Sequence, residues 1–361
     1  MFNKRVYLDC AAGLSGNPSS PHEEGRRAKQ MLEDARTAIA RLIEVQTDDV
    51  IFTSGATEGN ALAILGTVKK GDHVLYLPSA HASIVENVKL LVGRGVDIEP
   101  LPIKDCRVDT GALAKILRPE TKLVSMDAVC GETGVIWNTR EVRKIIGSKI
   151  LLHVDASQSP LTEKFSRAHF DADILTFDAS KVGTARGIGA IVAHRTIPIT
   201  PLYEGGGQER GVRSGSEAPV LAKIFADDLQ NAFNNREKFR AYAKIEREKL
   251  IKFITSEIKD VFINESREQT QNILNISLIG RDTDYLVALI DEVGFAVSTK
   301  SACETDSQEG SRAVFALFGD KSRAMSTLRI SWNSDASPRD LKRFAKAIKQ
   351  SVLFVDSSGQ R

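Results

Sequence analysis

The chain has little cysteine, four residues in 361, and none of Cys10, Cys106, Cys130 and Cys303 stands at C-x-x-C spacing from another. That argues against a disulfide frame or a cysteine-built zinc site, so no metal and reduced thiols in a cytoplasmic protein are expected. No apolar run approaches the roughly 18 residues needed for a membrane span, and the opening MFNKRVYLDCAA lacks the apolar core of a signal peptide. Net charge is only +2, which gives no reason to expect a nucleic acid or a membrane surface as partner. There is no internal repeat and no low-complexity tract. What is left is an ordinary globular composition, 42% hydrophobic, on a chain long enough for two or three domains.

Short β-rich runs alternate with helical patterns over the first two-thirds. Residues 50–53, 73–77, 122–126, 150–153, 174–177 and 188–192 read as strands, and ATEGNALAILGTVKK, HASIVENVKLLVGR and TREVRKIIG carry helical spacing. This alternation predicts an α/β layer with a largely parallel sheet, which binds ligands at the carboxyl ends of its strands. A long charged helix is expected over 219–259. After it, ILNISLIG, a helix near TDYLVALIDEVG, TLRISW and a final helix from Pro338 suggest a smaller α+β unit, with DSSGQR as a frayed tail.

The chemistry concentrates where apolar runs end. LLHVDASQ delivers a carboxylate, Asp155, and an amide, Gln158, to a strand end, and ILTFDASK delivers Lys181 to the same edge. A buried Asp and a buried Lys are costly unless each has a partner. Pyridoxal phosphate supplies both, a pyridinium nitrogen for the carboxylate and an aldehyde for the amine. An Asp–Lys ion pair on a loop accounts for the same two segments equally well. TSGATEG follows a strand and opens a helix, which makes either an anion seat or an ordinary capped turn, and it lacks the G-K-[ST] of a Walker loop. His81 in SAHAS is either a helix cap or a group that stacks on a planar cofactor and moves protons. Cys303, in the polar stretch STKSACETDSQEGS beside Lys300, reads as a reactive thiol. GGGQERGVRSGS can present donors to an anion, and Arg329 inside TLRISW calls for a carboxylate, structural or substrate.

Taken in order, YLDCAA, TSGATE, HVDASQ, the Lys181 segment, GGGQERGVRSGS, SAC and Arg329 resemble the NifS/IscS-like cysteine desulfurases of the class V aminotransferase group. The resemblance implies the pyridoxal 5'-phosphate (PLP) fold type I. It implies a large domain over 13–236 with a mostly parallel seven-stranded sheet. A smaller α+β domain from 1–12 and 237–361 would carry the Cys303 loop. Lys181 would bind the cofactor aldehyde, Asp155 the ring nitrogen and Gln158 the phenolic oxygen, with His81 stacked on the ring. Ala56, Thr57, Ser180 and Ser216 would serve the phosphate end, Ser216 reaching across from the second subunit of a homodimer. Arg329 would clamp the substrate carboxylate. L-cysteine would be converted to L-alanine, with its sulfur left on Cys303 as a persulfide. An acceptor protein would then collect it for iron–sulfur cluster assembly or tRNA thiolation.

Several positions depart from that pattern. Asp178 stands where a phosphate-binding Ser is usual, Ser180 replaces a His, and Gly131 replaces an Asn that touches cofactor and substrate. The segment between YLDCAA and GNPSSPH is almost absent, and the loop from Cys303 to Arg312 is short. A carboxylate facing a phosphate is repulsive, so Asp178 must turn away or weaken cofactor binding. Two rivals therefore stand beside desulfuration. One is another PLP reaction, transamination or selenocysteine cleavage, and the other is a catalytically weak scaffold.

Overall fold

Strands buried on both faces read as continuous apolar runs rather than alternating ones, and the central sheet is built of such runs. In the computed structural model, which describes residues 5–14, 16–299 and 310–358, seven strands form it. They are β1 (Val50–Thr53), β2 (His73–Tyr76), β3 (Asp97–Pro100), β4 (Thr121–Asp127), β5 (Leu151–Asp155), β6 (Ile174–Asp178) and β7 (Gly189–Ala193), in the order β1-β7-β6-β5-β4-β2-β3. The pairs from β3 through β2, β4 and β5 to β6 are parallel, and β7 runs antiparallel to both β6 and β1. Six of the seven match the expected runs. β3 does not, because it is an edge strand, exposed or half-buried along DIEP and ending in Pro100, and an edge needs no apolar run.

The layers on the sheet include α1 (Glu23–Leu42), α2 (Ala56–Leu65), α3 (Ala82–Val92), α4 (Thr139–Ile146) and the 39-residue α5 (Pro219–Glu257). α1 is absent from the sequence-based assignment. It buries Ala28, Leu32, Ala35, Ile39 and Ala40, a stripe at helical spacing hidden among many charged and polar residues. α5 joins two cores. Ala222, Phe225 and Leu229 pack with the large sheet, while Phe239, Ala243, Leu250 and Ile254 pack with a second antiparallel sheet. That sheet holds β8 (Val261–Ile263), β9 (Ile273–Leu278) and β10 (Thr327–Ser331), covered by α6 (Thr283–Glu292) and α8 (Pro338–Ser358). The short α7 (Arg312–Phe318) lies against the first core.

The frayed tail expected over 356–361 is corrected for 356–358, while 359–361 lie outside the described residues. α8 continues to Ser358 because Arg281 donates from Nε and Nη2 to both oxygens of Asp356, at 2.8 and 3.0 Å. Among the described residues no helix is long and apolar enough to cross a membrane, and no group of His, Cys, Asp and Glu is arranged to hold a metal.

Candidate functional site

β1 and β6 are both antiparallel to β7, so they run the same way, and the carboxyl ends of β1, β2, β4, β5 and β6 meet at one edge. A cavity of about 280 Å³ opens there. Each strand end contributes to its lining: Ala56 and Thr57 after β1, His81 after β2, Asp127 and Gly131 at and after β4, Asp155 and Gln158 at and after β5, Asp178, Ser180 and Lys181 at and after β6. Arg312 of α7 and Arg329 of β10 complete it. Most of the residues singled out from sequence thus come together. Ser216 does not line this cavity and is exposed in the loop before α5. Cys303 and Lys300 lie outside the described residues.

Asp155 ends β5 with 6% exposure. One oxygen accepts from the Ser157 amide and hydroxyl at 2.9 and 2.6 Å, and the other accepts from Asn60 Nδ2 at 2.7 Å. Among the described residues no cation pairs with it, which removes the loop ion pair with Lys181 as an account of these two segments. The expectation that Lys181 is buried is corrected. It closes a single helical turn, Ala179–Lys181, at the mouth of the cavity and is exposed. Solvation at the mouth lets the ammonium exist without a carboxylate partner.

His81 caps α3, one of the two roles expected of it, and stands at the cavity. Its Nδ1 accepts the Ser83 amide at 3.2 Å and so caps α3, while its ring lines the cavity. Nδ1 also lies 2.8 Å from Ser83 Oγ, which accepts from Asn60 Nδ2 at 2.8 Å. His81, Ser83, Asn60 and Asp155 therefore form one hydrogen-bonded chain. Sequence reasoning missed Asn60 and Ser83. The available signal was an Asn inside the apolar helix ATEGNALAIL, where it is fully buried.

Gly131 makes room for Gln158, since a Cβ there would stand 3.1 Å from Gln158 Nε2. Arg329 Nη1 donates to the Gly131 carbonyl at 3.1 Å, and among the described residues no carboxylate pairs with it. The partner expected for an Arg in an apolar strand is thus a backbone carbonyl, with guanidinium donors left for a ligand.

Asp178 does not turn away. Oδ2 accepts the amide of Ala56, the first residue of α2, at 2.8 Å. Oδ1 accepts the amide and hydroxyl of Ser180 at 2.8 and 2.6 Å. Gly55 permits the approach, with φ of +148° and space for a Cβ only 2.9 Å from Asp178 Oδ2. The positive end of α2, the anion seat read from TSGATEG, holds a carboxylate of the chain itself.

Burial and charge set the other titratable groups. Asp127 is pushed up to about 8, by burial first and by Asp155 second. Burial, and then Asp127, push the Cys130 thiol up to about 12, so it is no nucleophile at neutral pH. Burial brings His153 down to about 4, and the neutral ring bridges Ser125 Oγ and Thr176 Oγ1 at 2.8 and 3.0 Å.

The loop carrying Ser216 is anchored by a buried ion pair. The two terminal guanidinium nitrogens of Arg36, Nη1 and Nη2, donate to Glu209 at 2.7 Å, and Glu209 also accepts the Phe52 amide at 2.8 Å. Glu209 and Arg210 both have left-handed backbone, φ 45° and 60°, held in place by this anchor. Glu209→Gln leaves buried Arg36 with only the half-buried Glu33, 3.2 Å from its Nε, as a charge partner, and about 3 kcal/mol of folding free energy is expected to be lost in urea denaturation.

PLP, implied by the resemblance, fits this cleft at its ring end. A buried carboxylate with no cation lines it, an amine stands at its mouth, and an imidazole and an amide line its walls. At the phosphate end the Ala56 amide and the Ser180 hydroxyl are already engaged by Asp178.

The family model described as Aminotransferase class-V matches residues 7–344 of the chain. The chain is 30% identical to "Cysteine desulfurase IscS 1" of Archaeoglobus fulgidus, over 92% of its own length and 88% of the relative's. It is 33% identical to "Cysteine desulfurase IscS" of Rickettsia bellii, over 87% and 79%. Among solved structures, a "NIFS-LIKE PROTEIN" superposes with a TM-score of 0.87 at 26% identity, over 94% of this chain and 92% of that one.

Proposed function

The chain belongs to the aminotransferase class-V family, and from that premise we propose that it is a PLP-dependent cysteine desulfurase. The observation that carries this reading is the convergence of Asp155, Lys181, His81 and Arg329 on one cleft, in a chain whose similar relatives are named cysteine desulfurases. Bound PLP supplies an aldehyde for the substrate amine and a ring that draws electrons from the α-carbon.

The residues divide the remaining work. Asp155 holds a negative charge against the ring nitrogen, and the chain through Asn60 and Ser83 fixes its orientation relative to His81. His81 would cover one face of the ring, and Gln158 would donate to the phenolic oxygen. Ala56, Thr57 and Ser180 would serve the phosphate once Asp178 releases the Ala56 amide and the Ser180 hydroxyl, joined in a homodimer by Ser216 of the partner subunit. Arg329 takes the L-cysteine carboxylate in a charge-assisted pair. Lys181, exposed at the mouth, removes the α-proton through Nζ. The Cys303 thiolate attacks the substrate sulfur, so that an S–S bond forms as the C–S bond breaks; the electron pair stays with the carbon side, whose β-carbon then takes up a proton. The persulfide stays on Cys303, the three-carbon product leaves as L-alanine, and an acceptor protein collects the sulfur. A cytoplasmic location belongs to the same reading.

The test is alanine release from L-cysteine with PLP and a thiol reductant, comparing wild type with Cys303→Ala. Release by wild type, and its loss of at least about 10²-fold in the variant, is expected for a nucleophile in the committed step. Equal release by both would redirect the reading to a lyase that bypasses Cys303, and release by neither would leave another PLP substrate or the scaffold. One observation favours the scaffold, the occupation of the α2 amide by Asp178.

A further inference from the structure

Asp127 and Asp155 are register partners at the carboxyl ends of adjacent parallel strands, β4 and β5. Side chains at paired positions of neighbouring strands share a face, and strands lie about 4.8 Å apart. Both carboxyl groups line the same cavity, with exposures of 3% and 6%. Two carboxyl groups so close and so far from water do not both ionise at neutral pH.

Their hydrogen bonding tells them apart. Asp155 accepts three hydrogen bonds, from Ser157 twice and Asn60 once. Oδ1 of Asp127 is buried with no partner, and among the described residues the one donor acting on this carboxyl is its own backbone amide. Donors stabilise the charged form, so three of them favour charge on Asp155 more than one does on Asp127. We propose that Asp127 and Asp155 form a one-proton dyad, in which Asp127 is a positioning residue that holds the proton and leaves Asp155 the single fixed charge at the ring end of the cleft. The consequence for the cofactor rests on the proposed PLP chemistry, while the proton on Asp127 is a property of the protein alone.

The charged and titratable groups around Asp127 agree with this assignment. Asp155 faces it from β5, and Cys130 and Glu132 follow on its own loop, so no cation comes from either direction. Arg312 of α7 opposes its proton affinity, but that guanidinium also donates to the Pro78 carbonyl at 2.6 Å. His81, Lys181 and Arg329 line the same cavity. With burial and Asp155 dominant, the carboxyl is held at about 8. From the ordinary carboxylate range up to about 8, folded protein binds this proton more tightly than unfolded chain does. Stability therefore falls as pH rises through that window.

Infrared spectroscopy of the full chain, with and without added PLP, tests the dyad directly. Without PLP, wild type should show the carbonyl stretch of a protonated carboxylic acid at neutral pH, titrating away with a midpoint of about 8. Asp127→Asn, which matches the protonated form in size and charge, should lack the band and show a flatter fall of thermal midpoint with pH. Asp155→Asn removes the like charge and should lower the band's midpoint by about one pH unit. With PLP, the visible absorption of wild type should carry a pH-dependent component near the same midpoint that Asp127→Asn lacks. Absence of the acid band in wild type, or its persistence in Asp127→Asn, overturns the dyad. If PLP fails to bind at all, the cofactor reading falls while the band still decides the dyad.

Discussion

Lys181→Ala is expected to reduce alanine release from L-cysteine by at least about 10³-fold, within the range for loss of a positioned acid–base group. Two properties of the site make the effect large. Among the described residues no carboxylate pairs with Lys181, and it stands at the cavity mouth, where its amine meets both cofactor and substrate. Among those residues no other lysine lines the cavity, so none there substitutes for it. Little folding free energy should change, because an exposed lysine on a single helical turn buries almost nothing. Borohydride reduction followed by mass measurement should fix cofactor to wild type and leave Lys181→Ala unlabelled. Retained activity in a folded, unlabelled variant would remove Lys181 from the mechanism.

The second large effect concerns cofactor affinity. Asp178→Ser is expected to tighten PLP binding by at least tenfold, about 1.4 kcal/mol. The carboxylate sits on the Ala56 amide, the donor that a phosphate at the start of α2 needs. At about 4 Å and an effective dielectric of 20, two unit charges repel by about 4 kcal/mol, so a tenfold effect survives considerable screening. Serine removes the charge and keeps a hydroxyl that can accept the freed amide, which limits the capping loss to about 1 kcal/mol. Asp178→Asn should fall between the two. Pyridoxal, which lacks the phosphate, should bind wild type and Asp178→Ser equally. Quenching of the intrinsic fluorescence of Trp137 and Trp332 gives both affinities. If the serine variant changes PLP and pyridoxal affinity alike, Asp178 does not contest the phosphate and the scaffold reading loses its support.

How much of the fold is legible in one dimension depends on where the physical signal resides. β1, β5 and β6 are largely apolar runs because both faces are covered, and such runs stand out in the sequence. Asp155 and Lys181 are legible as polar groups at the ends of such runs. β3 is not, because its burial comes from pairing with β2 alone. α1 is obscured by its charged outer face, although its buried stripe is regular. A buried lysine is the natural inference from the apolar run before Lys181, but the chain turns outward through Ala179–Lys181 before the side chain projects. Asn60 and Ser83 give only the weak signal of polar residues in apolar helices, since the partners of Asn60 lie 95 and 23 residues away in the chain.

The sequence by itself determined the kind and order of most elements, and that a carboxylate and an amide stand at the end of one strand and an amine at the end of the next. Those are local properties of hydrophobic period and strand length. Only the tertiary structure decided that Asp178 reaches back to cap α2, and that Asp127 stands opposite Asp155 with an oxygen unpartnered. Both facts depend on strand order and register, which bring chain segments 122 and 28 residues apart to one edge. Strand order is set by how the whole sheet packs under its helices, and no local pattern encodes it.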